Sequence, residues 1–208
     1  MRAAIIALML MIGSQAGAGC GNLCDNSWWE TATEADVQAE LDGGADVMAR
    51  NEWGRTPLHR AGSPEVIQPL LAAGADVMAR DAVGNTPLHK AGSPEAMQLL
   101  LAAGADVMAR NEIGMTPLHK AAHYGYAEKI QALLTADADV MARDVSGSTP
   151  LHWAALHDAP ASIQALLAAG ADAKAKDKDG ETPWALAQEN EKLKGTKAYW
   201  ALNDAQYN

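Results

Sequence analysis

The chain is predicted to be an all-α repeat solenoid of stacked helix-turn-helix units joined by β-hairpin-like finger loops. Three observations predict it. A frame built on a turn, a glycine and the letters "TPLH" recurs as "NEWGRTPLH" (51–59), "DAVGNTPLH" (81–89), "NEIGMTPLH" (111–119) and "DVSGSTPLH" (144–152), then decays to "DKDGETPWA" (177–185). Each of the four intact frames is followed by an apolar stretch such as "IQALLAAG" with leucines at helical spacing, ending in glycine in all but the third. There is no Phe in the 208 residues, and Leu and Ala fill the apolar positions, which suits small, closely packed helices better than a β-rich core.

At the N-terminus Arg2 precedes the apolar run "AAIIALMLMI", and Ala16 and Ala18 stand at the −3 and −1 positions of a signal-peptidase site. Residues 1–18 are therefore expected to be a signal peptide, too short to span a bilayer; a retained anchor is the alternative. Cys20 and Cys24 follow in "GCGNLC", close enough along the chain for a small disulfide loop in an oxidising compartment. Acylation of Cys20, giving a lipid-anchored protein, stays open as a second reading. Residues 19–50 make a capping unit: Trp28 and Trp29 fall where later units have Leu-His, and Glu40 stands in place of a core leucine. A polar outer face is what a terminal repeat needs.

Four full units follow, at 51–80, 81–110, 111–143 and 144–176. An Asp or Asn heads each turn, and Gly54, Gly84, Gly114 and Gly147, with Gly180 in the decayed frame, supply the positive φ of a tight tip. Thr56, Thr86, Thr116 and Thr149 are placed to cap a helix whose first residue is proline, where a missing N–H is harmless. In the first two units "AGSPE" replaces the longer "AAHYGYAE", so their first helices should be about one turn shorter, with Gly62 and Gly92 ending one helix in the manner of a glycine C-cap while Ser63-Pro64 and Ser93-Pro94 cap and start the next. Pro69 falls inside the second helix of the first unit, where it should bend or tighten the helix near Glu65. Asp137 occupies a left-handed position that elsewhere is glycine. Residues 177–208 begin as a repeat and depart into a polar helix and an aromatic one, which together form the C-terminal cap.

The pattern "GxTPLHxAA…LLxxGADV" resembles the ankyrin repeat family, strongly over 51–175 and more loosely over the caps. The resemblance implies that His59, His89, His119 and His152 bond to neighbouring turns. Copies about 10 Å apart cannot share a zinc ion, whose ligands each lie about 2 Å away. It further implies that binding falls on the hairpin tips (Trp53, Arg55, Val83, Ile113, Met115) and on the first-helix positions after "TPLH" (Arg60, Lys90, Lys120, Trp153). The longer units add His123, Tyr124, Leu156 and His157. Exposed Trp, Tyr and Arg often dominate interface energy, although Trp153 and Tyr124 could instead cover the adjacent repeat.

A net charge of −10 disfavours non-specific nucleic-acid binding. The basic trio Arg60, Lys90 and Lys120 on such a chain points to a partner with acidic groups. "DKDG" fails as a calcium loop because Ala175 and Leu186 stand where carboxylates are needed. No catalytic motif is recognisable, so an enzyme is not expected and no cofactor is assigned. The leading reading is a monomeric, exported, periplasmic protein that binds another protein. The alternatives are a secreted effector and a module holding haem or a metal through His123, Tyr124 and His157.

Overall fold

The computed structural model describes residues 21–25, 27–157 and 159–207. Residues 1–18, expected to be a signal peptide, and Cys20 lie outside them. Cys24 closes a 3-10 turn over Gly21–Cys24 and is not a free thiol. A second 3-10 turn covers Trp28–Glu30, and then eleven α-helices follow among the described residues. They are α1 (Glu34–Asp42), α2 (Pro57–Arg60), α3 (Pro64–Ala72), α4 (Pro87–Lys90), α5 (Pro94–Ala102), α6 (Pro117–His123), α7 (Ala127–Thr135), α8 (Pro150–Leu156), α9 (Pro160–Ala168), α10 (Pro183–Glu189) and α11 (Lys197–Tyr207).

Two rows run along the stack. The first helices α2, α4, α6, α8 and α10 pack in sequence on one side, and α1, α3, α5, α7, α9 and α11 on the other. Between them lies a continuous core in which Leu58, Leu88, Leu118 and Leu151 of the four "TPLH" frames are fully buried, as are Ile67, Ile130 and Ile163 of the second row. Each such side chain stabilises the stack by about 1.5 to 3 kcal/mol. Alanines at 91, 122, 154 and 155 are also buried, and their small size lets the helices lie close.

Local chemistry sets the helix starts. Thr56, Thr86, Thr116, Thr149 and also Thr182 are extended N-caps, each followed by proline at the first helical position. The tip glycines at 54, 84, 114, 147 and 180 have φ between 68° and 84°, and Asp137 takes φ 62° in place of the usual glycine. The first helices of the two short units have four residues against seven in the next two, as the missing letters predict.

Two local expectations are corrected, and the hairpin-like fingers are seen in detail. Gly62 and Gly92 are not left-handed: α2 and α4 end where the backbone leaves the helical region at Ala61 with ψ 109° and Ala91 with ψ 129°. Glycine is needed at 92 for a different reason, since a Cβ there would lie 2.3 Å from the Gly62 carbonyl oxygen of the previous unit. The polar segment after Glu189 is a series of turns over residues 191–195, with Leu193 buried as its anchor. The fingers contain no strand among the described residues. In each, a turn such as Gly54 N–H to Asn51 O (2.9 Å) is closed by a single outer bond, Asn51 N–H to Arg55 O (3.1 Å).

At the N-terminal end Glu40 accepts hydrogen bonds from the Asn22 amide (3.1 Å) and its Nδ2 (2.7 Å). The carboxylate thus ties the leading turn to α1 where an inner repeat would place apolar surface.

Candidate functional site

The finger tips carry the first group of candidate residues. Trp53, Val83 and Ile113 are 44%, 53% and 48% exposed, forming an apolar row one repeat apart. Single backbone bonds hold the row in register, from Ala82 N–H to Trp53 O, Glu112 N–H to Val83 O and Val145 N–H to Ile113 O. Val145, also exposed, extends the row into the fourth finger, where Ser146 takes the tip position itself. The shift by one residue hid it from a reading based on alignment.

Met115 does not belong to this row. It is 1% exposed, because the residue after the tip glycine turns back into the stack, and its counterpart Asn85 is buried as well. Truncating Met115 would open a cavity in the core rather than probe a surface. Arg55, at the same position of the first finger, is half-buried, with its Nε 3.7 Å from Asp81 Oδ2 and its guanidinium 5.6 Å from the centre of the Trp53 ring.

The histidines are framework. In all four frames Nδ1 accepts the N-cap amide, as in Thr56 N–H to His59 Nδ1 at 3.2 Å; an amide nitrogen only donates, so the Nε2 atom carries the proton. Each Nε2 then donates to a carbonyl of the next unit: His59 to Asn85 (2.9 Å), His89 to Met115 (3.0 Å), His119 to Ser148 (3.1 Å) and His152 to Glu181 (3.1 Å). Burial holds all four below the usual histidine range, His89 and His119 at about 4.

Two further ladders escaped the sequence reading, although the repeated letters "VMAR" signalled them. Arg50 donates to Gly54 O (2.7 Å) and across to Arg80 O (2.6 Å), and Arg80, Arg110 and Arg143 each reach the carbonyl of the next unit in the same way. Met48 Sδ accepts the Asp76 amide at 3.2 Å, and Met78, Met108 and Met141 repeat that contact with Asp106, Asp139 and Asp172. These side chains are committed to stacking.

The positions after "TPLH" are different. Arg60, Lys90, Lys120 and Trp153 are half-buried on the first helices, the first two as the last residues of α2 and α4 and the other two in mid-helix of α6 and α8. The Trp153 indole donates to Asp144 Oδ2 at 2.8 Å, so it is anchored within its own unit. Beside it the longer helices gather aromatic rings. The centre of the His123 ring lies 3.9 Å from that of His157, 4.5 Å from Tyr124 and 5.4 Å from Trp153, and the His157 and Trp153 rings stack with a 4° interplanar angle. His123 is pushed down to about 4 by burial, with His157 and Lys120 adding to the effect. Tyr124 and Leu156 remain exposed. The residues proposed for a metal or haem are thus brought together, but their rings pack against one another. Among the described residues no group of three His, Cys, Asp or Glu side chains is placed to hold a metal ion.

Comparison with known families adds the deciding observation: the family described as ankyrin repeats (3 copies) matches residues 32–111 and 90–177. The chain belongs to the ankyrin repeat family. No curated protein matches it. Ankyrin repeats are generally protein–protein interaction modules, and the proteins built from them are typically non-enzymatic binding scaffolds. No helix among the described residues is long and apolar enough to cross a membrane. Within the ankyrin framework the "TPLH" threonines, prolines and histidines and the "VMAR" ladders belong to the stack. Outside that framework Trp53, Val83, Ile113 and Val145 at the fingers, and Tyr124 and Leu156 beside the aromatic group, remain exposed.

Proposed function

We propose that this ankyrin protein is a non-enzymatic binding module that holds an acidic partner protein against its finger tips and first helices. The observation that carries the reading is the separation of charge on residues 51–140. Their only cations are Arg55, Arg60, Arg80, Lys90, Arg110, Lys120 and Lys129. Arg80 and Arg110 are engaged in the finger ladder, while Lys90 feels the charges of Arg55, Lys120 and Arg60 with the buried Asp81 opposing them, which places these four cations close together around one acid on the first-helix side. Like charges gathered on a protein of net charge −10 favour an anionic surface and speed its approach. The exposed row at Trp53, Val83, Ile113 and Val145 supplies apolar contact beside them. The leader-like residues 1–18 support export, with the periplasm as the proposed address.

A photo-cross-linking amino acid placed at Ile113, and in a second protein at Gln131 on the exposed side of α7, tests the face. Adducts with one acidic protein from position 113 alone are expected. Adducts from Gln131 alone would move the interface to the second helices and overturn the reading.

A further inference from the structure

The three-residue deletion in the first two full units leaves a step in the stack. α2 and α4 stop at Arg60 and Lys90, whereas α6 runs one turn further to His123 and continues into Tyr124 and Tyr126. The step opens a cleft of about 330 Å³ in which Lys90, Lys120 and Lys129 meet Gly92, Tyr124 and Tyr126. Lys129 is structural: Nζ donates to Ala91 O at 2.9 Å and lies 4.0 Å from the centre of the Tyr126 ring. Lys90 and Lys120 are not so engaged. Among the described residues neither ammonium has a hydrogen-bond or ion-pair partner, and the one other polar contact is Lys120 Nζ at 6.0 Å from the Tyr124 ring.

The acid nearest them is already committed. Asp81 is buried and accepts the Val83 and Asn85 amides (3.1 and 2.8 Å) and Asn85 Nδ2 (3.2 Å), besides its ion pair with Arg55. Two half-buried ammonium groups therefore face the same cleft with their donors unused, an arrangement that an arriving carboxylate relieves. Burial also lowers the proton affinity of both amines, with Arg55 adding to the effect at Lys90 and Asp81 opposing it only in part at both. The exposed Tyr124 and Tyr126 rings stack with centres 5.8 Å apart and supply a flat apolar wall.

We propose that this step cleft is the anchor site for the partner, seating the carboxylate of an acidic residue between Lys90 and Lys120 and a neighbouring aromatic side chain against Tyr124 and Tyr126. The proposal rests on the protein-binding reading above and assigns that surface its specificity pocket. A polyanion such as nucleic acid fits less well, because the surrounding surface is acidic overall.

The test uses fluorescein-labelled Glu-Glu-Trp-Glu-Glu, with Glu-Glu-Gly-Glu-Glu and Gln-Gln-Trp-Gln-Gln as comparators, titrated with the full protein at low salt. The first peptide should bind at least about tenfold more tightly than either comparator, since charge and apolar wall act together. The double variant Lys90→Glu/Lys120→Glu should lose that binding and take up Lys-Lys-Trp-Lys-Lys instead. A second variant, in which Gly92-Ser93-Pro94 is replaced by Ala-His-Tyr-Gly-Tyr-Ala to give the second unit the length of the third, keeps both lysines and closes the step; the preference for tryptophan should vanish. If either variant fails to fold, Lys120→Gln replaces it and should weaken the glutamate peptide alone. Equal binding of all three peptides, retention by the charge-reversed protein, or displacement by equimolar inorganic phosphate would overturn the proposal. Cross-linking from Ile113 with no peptide preference would sink the cleft alone and leave the wider surface standing.

Discussion

Gly92 and Gly62 have the same letters around them and opposite constraints. A Cβ on Gly92 would meet the Gly62 carbonyl at 2.3 Å and its carbon at 3.0 Å, both backbone atoms that cannot swing aside, while a Cβ on Gly62 meets nothing within 4 Å. Gly92→Ala is expected to destabilise the protein by about 1 to 3 kcal/mol through overpacking. Gly62→Ala should be neutral or stabilise by up to about 1 kcal/mol, because neither glycine needs a positive φ and alanine restricts the unfolded chain. Urea denaturation of the two variants decides the matter. Equal midpoints would mean that the short units do not approach as closely as the structure shows.

The short first helices affect more than length. Ending α4 at Lys90 brings Ala91 and Gly92 beneath α7, where Lys129 caps the Ala91 carbonyl, and exposes the side of α6 that bears Tyr124. Within α3, Pro69 sits in an unbroken helix and is buried, yet it supplies no amide for the Glu65 carbonyl four residues earlier. Leu99 fills the same place in α5. Pro69→Leu should restore the missing bond and stabilise by about 1 to 3 kcal/mol, raising the thermal midpoint by several degrees in a chain of this size. A midpoint at or below that of the parent would show that the proline ring is better packed in this core than leucine.

The stack as a whole is joined by groups that must stay neutral. Protonating Nδ1 of His89 or His119 removes the acceptor for the N-cap amide, and burial already holds these two at about 4, against 6.5 for an ordinary histidine. Their folded values are depressed, so the unfolded chain binds protons first. Their contribution is complete above about pH 6.5 and is lost as pH falls towards 4, at roughly 3 kcal/mol each. His59 and His152 shift in the same direction. Melting curves between pH 7.5 and pH 4 should therefore show a midpoint that declines steadily below about 6.5. Replacing His119 by Gln should lower the midpoint at pH 7 and flatten the decline; a profile unchanged by that substitution would deny the histidines this role.

Helix starts, tip glycines, the left-handed Asp137 and the short first helices were legible in the sequence, because caps and φ signs are decided by atoms within a few residues of one another. So were Trp53, Val83 and Ile113 as surface residues. Tertiary structure alone decided that Met115 turns inward while Ile113, two residues earlier, faces out. It also decided that Gly92 serves a close approach rather than a helix end, and that Arg80 and Met78 bond across repeats. The physical reason is distance along the chain. Contacts such as His89 with Met115 or Met78 with Asp106 join residues 26 or 28 apart, and no local propensity reaches that far. The step cleft is the sharpest case, since Lys90, Lys120 and Tyr126 become one site only when units of unequal length are stacked.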